Sequence, residues 1–246
     1  MLLALPDGRR EGRAMAATWK FRTDGETTWD WAVGPPPVRI LRHVRRPTAD
    51  AMSRHTPVRM ACQTTGSTLL IESSLEYEAA RRLDRDPDVE WIVAQPVKIE
   101  FDDDSKHVVD LLAEHHDGTV VLWDVRPDDR QDEEFHRIAA LTRSACAAVG
   151  WSYDVFGTQP TARRLNMLWL ASHRRLPRWP HSQATRHVTD AVRAGVKVGD
   201  VLALDDGDGH TIAMLWHLVW TGYLVVDLDV PITADSPIAL GDCSDA

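Results

Sequence analysis

Apolar positions along this chain recur with two periods, and the changes of period predict its elements. Residues 18–31 alternate as W-K-F-R and T-T-W-D-W around Asp24-Gly25, which predicts a hairpin ahead of the stiff Pro35-Pro36-Pro37 spacer. Within residues 64–95 the spacing turns helical, with Leu75, Ala79 and Leu83 four apart behind S-S-L-E and a stop at Asp86-Pro87. Val89 to Val93, and then Val97, Ile99 and Phe101, read as strands on either side of Gln95-Pro96. Residues 108–127 read as two nearly continuous apolar strands joined at Asp117-Gly118, as expected of a sheet covered on both faces. An acidic helix start, D-D-R-Q-D-E-E, leads an apolar stripe of Phe135, Ile138, Ala145 and Val149, which Gly150 stops before a strand over 151–156. Helices are then expected over 161–175, 182–194, near Asp200 and over 211–221, with a closing strand over 223–232.

The register of the central hairpin decides its chemistry. A three-residue loop of His116, Asp117 and Gly118 pairs His115 with Thr119 and sets Asp110 opposite Asp124; a two-residue loop sets Asp110 opposite Val125. Facing carboxylates destabilise a bare hairpin and make sense around a cation. Arg126, two residues beyond Asp124, has its side chain on the same face. Carboxylates converging on one sheet edge are ligands suited to Mg2+ or Mn2+. Glu76 has two readings, as the capping-box partner of the Ser73 amide or as a third ligand. His115 and His116 alternate across a strand and cannot both face one zinc ion, although His107, Glu114 and Asp117 crowd nearby.

Composition narrows the setting. The chain has 246 residues, 43% hydrophobic and 26% charged, enough for one large or two modest domains. A net charge of -9 gives no global basic signature, so nucleic-acid binding has to come from local patches. Two stretches lack any acid. Residues 31–49 hold Arg39, Arg42, His43, Arg45 and Arg46, which suits either a phosphate-facing strand or an edge strand blunted by charge. Residues 155–189 hold Arg163, Arg164, Arg174, Arg175, Arg178 and Arg186, with DNA contact expected near the arginines of the first helix. Cys62, Cys146 and Cys243 are odd in number and widely spaced, which argues for a reducing cytoplasmic setting over a disulfide framework. The N-terminus is too short in apolar length for a signal peptide, Met15 is an alternative start, and no run approaches a membrane span.

The segment E-S-S-L-E-Y-E-A-A-R-R-L-D-R-D-P-D-V-E-W-I-V-A-Q-P, followed by H-V-V-D and W-D-V-R-P, resembles the TnsA-like endonuclease subunits of heteromeric transposases over residues 54–156. The resemblance implies a restriction-endonuclease-like PD-(D/E)XK core, an α/β fold with a mixed central sheet flanked by helices. A mainly α, winged-helix-like C-terminal domain would follow it. The expected division is a β-rich extension over 1–52 packing on the core, the nuclease core over 53–156 and the C-terminal domain over 157–246.

Carried over by position, the metal-binding residues of that family fall on Glu76, Asp110 and Asp124, with Arg126 where lysine is usual. Arginine stays protonated, so it can stabilise charge but cannot act as a general base. Gln95 and His107 join Arg163, Arg164, Arg174 and Arg175 as candidates for DNA contact. The implied partners are double-stranded transposon ends, a DDE transposase and an AAA+ regulator, with cleavage of the 5′ strands. The rival expectations are a non-catalytic DNA-binding or assembly adaptor with a degenerate site, and a related restriction or repair nuclease.

Overall fold

A computed structural model describes residues 2–4, 17–22, 35–44 and 57–241. It is a mixed α/β chain that divides into two compact units, Met1–Thr158 and Gln159–Ala246. Among the described residues, no helix is long and apolar enough to cross a membrane.

The first unit is built on two four-stranded sheets. One has the order β1 (Leu2–Ala4), β2 (Ala17–Phe21), β6 (Val97–Phe101), β7 (Lys106–Val108). The other has the order β10 (Ser152–Phe156), β9 (Val120–Val125), β8 (Leu111–His115), β5 (Val89–Ala94). In the second sheet β10 runs parallel to β9 and the other pairs are antiparallel. Alternation divides its side chains between two cores. Leu112, Val120 and Leu122 pack with Ala139, Ala145 and Cys146 of α2 (Glu133–Ala148). Leu111 and Ala113 pack on the opposite face with Ala79, Ala80 and Leu83 of α1 (Ser74–Arg85). This is the two-sided cover that near-continuous apolar strands require. A two-stranded ribbon, β3 (Val58–Ala61) with β4 (Thr68–Ile71), joins the α1 side.

The central hairpin takes the three-residue loop. The His115 amide donates to the Thr119 carbonyl at 2.8 Å, and Gly118 is left-handed at φ 83°. Leu111 pairs with Trp123 and Glu114 with Val120, so the same register carried one step further sets Asp110 opposite Asp124.

Strands β5 and β6 continue one another, as do β7 and β8, so the two sheets share one long antiparallel ribbon that bends between them. Ala94 pairs with Leu111 on one side of the bend and Lys98 with Val108 on the other. Three residues, 95–97, therefore face two, 109–110. That extra residue is a bulge, and bulges bend a strand and re-aim its side chains. Gln95 takes it up in the left-handed region at φ 47°, with its amide donating to the Asp110 carbonyl at 2.7 Å.

Near the N-terminus one expectation falls outside the described residues and another changes. The second strand of the hairpin expected over 18–31 lies outside the described residues, as do Arg45 and Arg46. Where the arginine run is described it is not a strand: Val38–Ile40 is a 3-10 turn, which prolines with fixed φ lead into. Arg39 is ion-paired with Glu90, and Arg42 donates to the carbonyls of Arg39 and Leu41. Arg39 and Arg42 thus have local partners within the unit.

The second unit holds α3 (Thr161–Leu170), α4 (Ser182–Arg193), α5 (Val198–Leu202) and α6 (His210–Trp220) around a core of Leu170, Val188, Val201, Met214 and Leu215. The first helix is shorter than expected, giving way to a 3-10 turn at Ala171–His173. The strand expected over 223–232 shrinks to β11 (Leu224–Val225), paired with β12 (Ala239–Leu240). Its apolar positions Val226 and Leu228 are still buried. Beyond Val225 the backbone bonds to α3 instead of a strand: the Asn166 side chain donates to the Leu228 and Val230 carbonyls at 2.9 and 2.8 Å.

Candidate functional site

The bend between the sheets gathers the titratable groups of the first unit. Asp124, on the α2-facing side of β9, is only 2% exposed, and both its oxygens are engaged. His107 Nε2 of β7 lies 2.8 Å from Oδ1, and the Tyr153 hydroxyl of β10 donates to Oδ2 at 2.5 Å. Burial, and then the neighbouring Asp124 carboxylate, drive the Tyr153 pKa up, so the phenol remains a donor. Two sequence-distant side chains thereby fix one carboxylate rotamer. Tyr153 was missed from sequence; the available signal was a lone tyrosine in a buried strand, whose hydroxyl must find a partner.

Asp110 lies one strand away at the bend. Its Oδ2 accepts from the Val125 amide at 2.7 Å. Burial raises its pKa well above the ordinary 3.8, and the charges of Asp124, Glu76 and Glu72 raise it further. No cation is among the leading influences on it. Glu76 reaches this neighbourhood from the first turn of α1. Its amide donates to the Ser73 hydroxyl at 3.1 Å, so Ser73 caps the helix, but the Glu76 carboxylate accepts from the Glu72 amide at 3.0 Å, not from Ser73. The Glu76 carboxylate thus bonds one residue earlier than the reciprocal capping box expects.

Of the residues singled out from sequence, the structure thus brings Asp110 into electrostatic range of both Glu76 and Asp124, with His107 bonded to Asp124 and the Gln95 amide to the Asp110 carbonyl. Arg126 goes elsewhere. It leaves β9 on the α2 side, over the Phe135 ring at 5.9 Å, and its Nε donates to the Arg130 carbonyl at 2.9 Å. The strand ends at Val125, and the 3-10 turn Asp128–Arg130 offers that carbonyl within reach. Among the described residues Arg126 has no ion pair to the three carboxylates.

Gln95 carries two penalties. A left-handed non-glycine residue and a buried unpaired acceptor each cost about 1–3 kcal/mol. Gln95 is 4% exposed, and its Oε1 is buried without a donor among the described residues. Such strain concentrates where a side chain has another task.

In the second unit, Arg163 is committed to Asp229 through two parallel bonds of 2.5 and 2.7 Å, so its charge is neutralised within the unit. Arg174 is half-buried, whereas Arg164 and Arg175 are exposed. Among the described residues, three ligand atoms fall within 4.8 Å of one another only at Asp205, Asp206 and Asp208. Asp205 there caps α6, accepting from the amides of Gly207, Gly209, Thr211 and Ile212. The Glu76, Asp110 and Asp124 set is more open than that.

No known protein family matches this chain, and no curated protein matches it. The site is therefore read from its own chemistry. Three carboxylates and no thiolate make a hard-oxygen donor set of the kind divalent cations of the magnesium class take. Repulsion around Asp110 is the feature a cation would relieve.

A pH dependence follows from Asp110. Because its folded pKa lies above the unfolded one, its contribution to stability is fully present below about 3.8 and is lost as pH rises through the raised folded value. In thermal melts without metal, wild type should therefore fall progressively below Asp110→Asn as pH rises from acid to neutral. Equal differences at both ends of that range would contradict the assignment.

Proposed function

We propose that this chain is a metal-dependent DNA endonuclease subunit that works within a heteromeric transposase, with a restriction-endonuclease-like first unit and a winged-helix-like second one. The observation that carries the reading is Asp110 at the bend, raised in pKa by burial and then by the charges of Asp124 and Glu76. The TnsA-like sequence signature falls on the same residues.

In this reading Asp110, Asp124 and Glu76 would hold a Mg2+ or Mn2+ ion. The ion would neutralise the scissile phosphate and lower the pKa of a bound water. His107 and Tyr153 keep Asp124 in one orientation, which would fix how its carboxylate is presented to the ion. Arg126, permanently charged, stabilises the phosphate electrostatically once DNA draws it from the Arg130 carbonyl. Nicking of supercoiled DNA in Mn2+ by the full chain, alone or with its transposase, tests this. Loss of nicking in Asp124→Ala is expected; nicking unaffected by that change would refute it.

Tyr153→Phe should retain the fold but leave Asp124 Oδ2 without its donor, at a cost of about 1–3 kcal/mol. Urea unfolding would detect it, and an unchanged midpoint would show that the hydroxyl bond does not matter.

DNA and protein partners belong to the second unit in this proposal. Arg174→Ala with Arg175→Ala should weaken DNA binding and reduce the slope of log affinity against log salt by about two, whereas Arg163→Ala should leave the slope alone. Fluorescence anisotropy across a salt series distinguishes them. The partner surface for a DDE transposase or AAA+ regulator would be the exposed apolar run Leu165, Leu168, Trp169 and Leu176.

The second reading, a non-catalytic assembly adaptor, is favoured by one observation: the Arg126 guanidinium is engaged away from the carboxylates. An adaptor should bind DNA and partner normally while Asp124→Ala changes neither nicking nor metal binding.

A further inference from the structure

We propose that Gln95 gives its side-chain amide oxygen to the same cation as Asp110 and Asp124, so that the bulge at the bend is a ligand-bearing element of the site. This rests on the metal-site reading above and adds to it a residue that neither the helix nor the hairpin supplies.

Register places Gln95 in the row. Ala94 pairs with Leu111, so the next pair outward is Gln95 with Asp110, and the Gln95 amide is bonded to the Asp110 carbonyl at 2.7 Å. Asp110 in turn stands opposite Asp124 by the register of the hairpin. Three neighbouring chain segments thus contribute Gln95, Asp110 and Asp124 at one level of the sheet.

The choice of residue points the same way. A bulge residue in the left-handed region is cheapest as glycine, and asparagine is the usual substitute. Here the φ of 47° is carried by a glutamine, a longer side chain that gains nothing from that conformation. The side chain is not there to be exposed, since the residue is 4% accessible. Nor does the amide oxygen serve as a structural acceptor, because no donor among the described residues reaches it. What suits a buried oxygen that has no donor among the described residues, at the same level of the sheet as Asp110 and Asp124, is a positive charge or a water that such a charge holds. A neutral oxygen is also the appropriate addition chemically. Asp110 already stands opposite Asp124, and a further carboxylate would add repulsion in the metal-free protein, whereas an amide adds coordination without charge.

The test is calorimetric titration of the full-length chain with Mn2+ near neutral pH, together with thermal melts with and without Mn2+. Wild type, Gln95→Gly, Gln95→Asn and Asp110→Asn are compared. Glycine relaxes the backbone, so Gln95→Gly should melt at or above the wild-type temperature without metal. It should nevertheless bind Mn2+ about 10-fold or more weakly, with a correspondingly smaller melting shift. A residue needed only for folding would show the reverse, a lower melting temperature with unchanged affinity. Gln95→Asn tolerates the same backbone and shortens the arm, so it should also weaken binding; it decides the matter if the glycine variant does not fold. Wild-type Mn2+ affinity in the folded variant overturns the inference alone, provided that Asp110→Asn has lost binding. Absence of Mn2+ binding by wild type overturns the inference and the metal-site reading together.

Discussion

Asp110→Asn should eliminate divalent-cation binding and lower metal-dependent nicking by at least about 100-fold, while making the metal-free protein more stable at neutral pH. The two effects have opposite signs for one reason. In the absence of metal the Asp110 carboxyl is desolvated and faces Asp124, Glu76 and Glu72, so ionisation there is unfavourable. Asparagine keeps an oxygen to accept from the Val125 amide, as Asp110 Oδ2 does at 2.7 Å, but it carries no charge for a cation to meet. A residue kept for stability would not behave this way. If Asp110→Asn melts lower than wild type without metal, or still binds Mn2+, Asp110 is a structural residue.

Leu122→Ala should have the largest effect on stability, about 2–5 kcal/mol. Leu122 is fully buried on β9 in the core against α2, two residues before Asp124 and on the same side of the strand. Truncation there removes transfer free energy and leaves a cavity in a rigidly packed layer. The same layer holds Tyr153, whose hydroxyl fixes Asp124. Chemical denaturation gives the loss in stability directly. Leu122→Ala should also weaken Mn2+ binding, because the strand that carries Asp124 loses its support. A loss below about 1 kcal/mol would mean that the layer re-closes around the gap.

Local chemistry made much of this legible beforehand. Gly118 could take the left-handed position of a three-residue loop, and that choice fixed Asp110 opposite Asp124. Ser73 and the spacing of Leu75, Ala79 and Leu83 marked α1, and Asp132 caps α2 where the acidic run begins. What escaped depends on contacts between distant segments. The bend at Gln95 arises from a mismatch of one residue between two paired strands, which no single segment encodes. Tyr153 and His107 meet Asp124 from strands 29 and 17 residues away. Arg126 follows alternation as far as its side of the sheet, but its guanidinium is claimed by a carbonyl past the strand end. Arg163 looked like a DNA contact because its own helix lacks acids; Asp229, 66 residues on, supplies the partner.

Calorimetric titration of the full-length chain with Mn2+, wild type against Asp110→Asn, tests the central claim most directly. A single binding site in wild type that vanishes in Asp110→Asn is the predicted result. No binding by wild type, or equal binding by both, would contradict it.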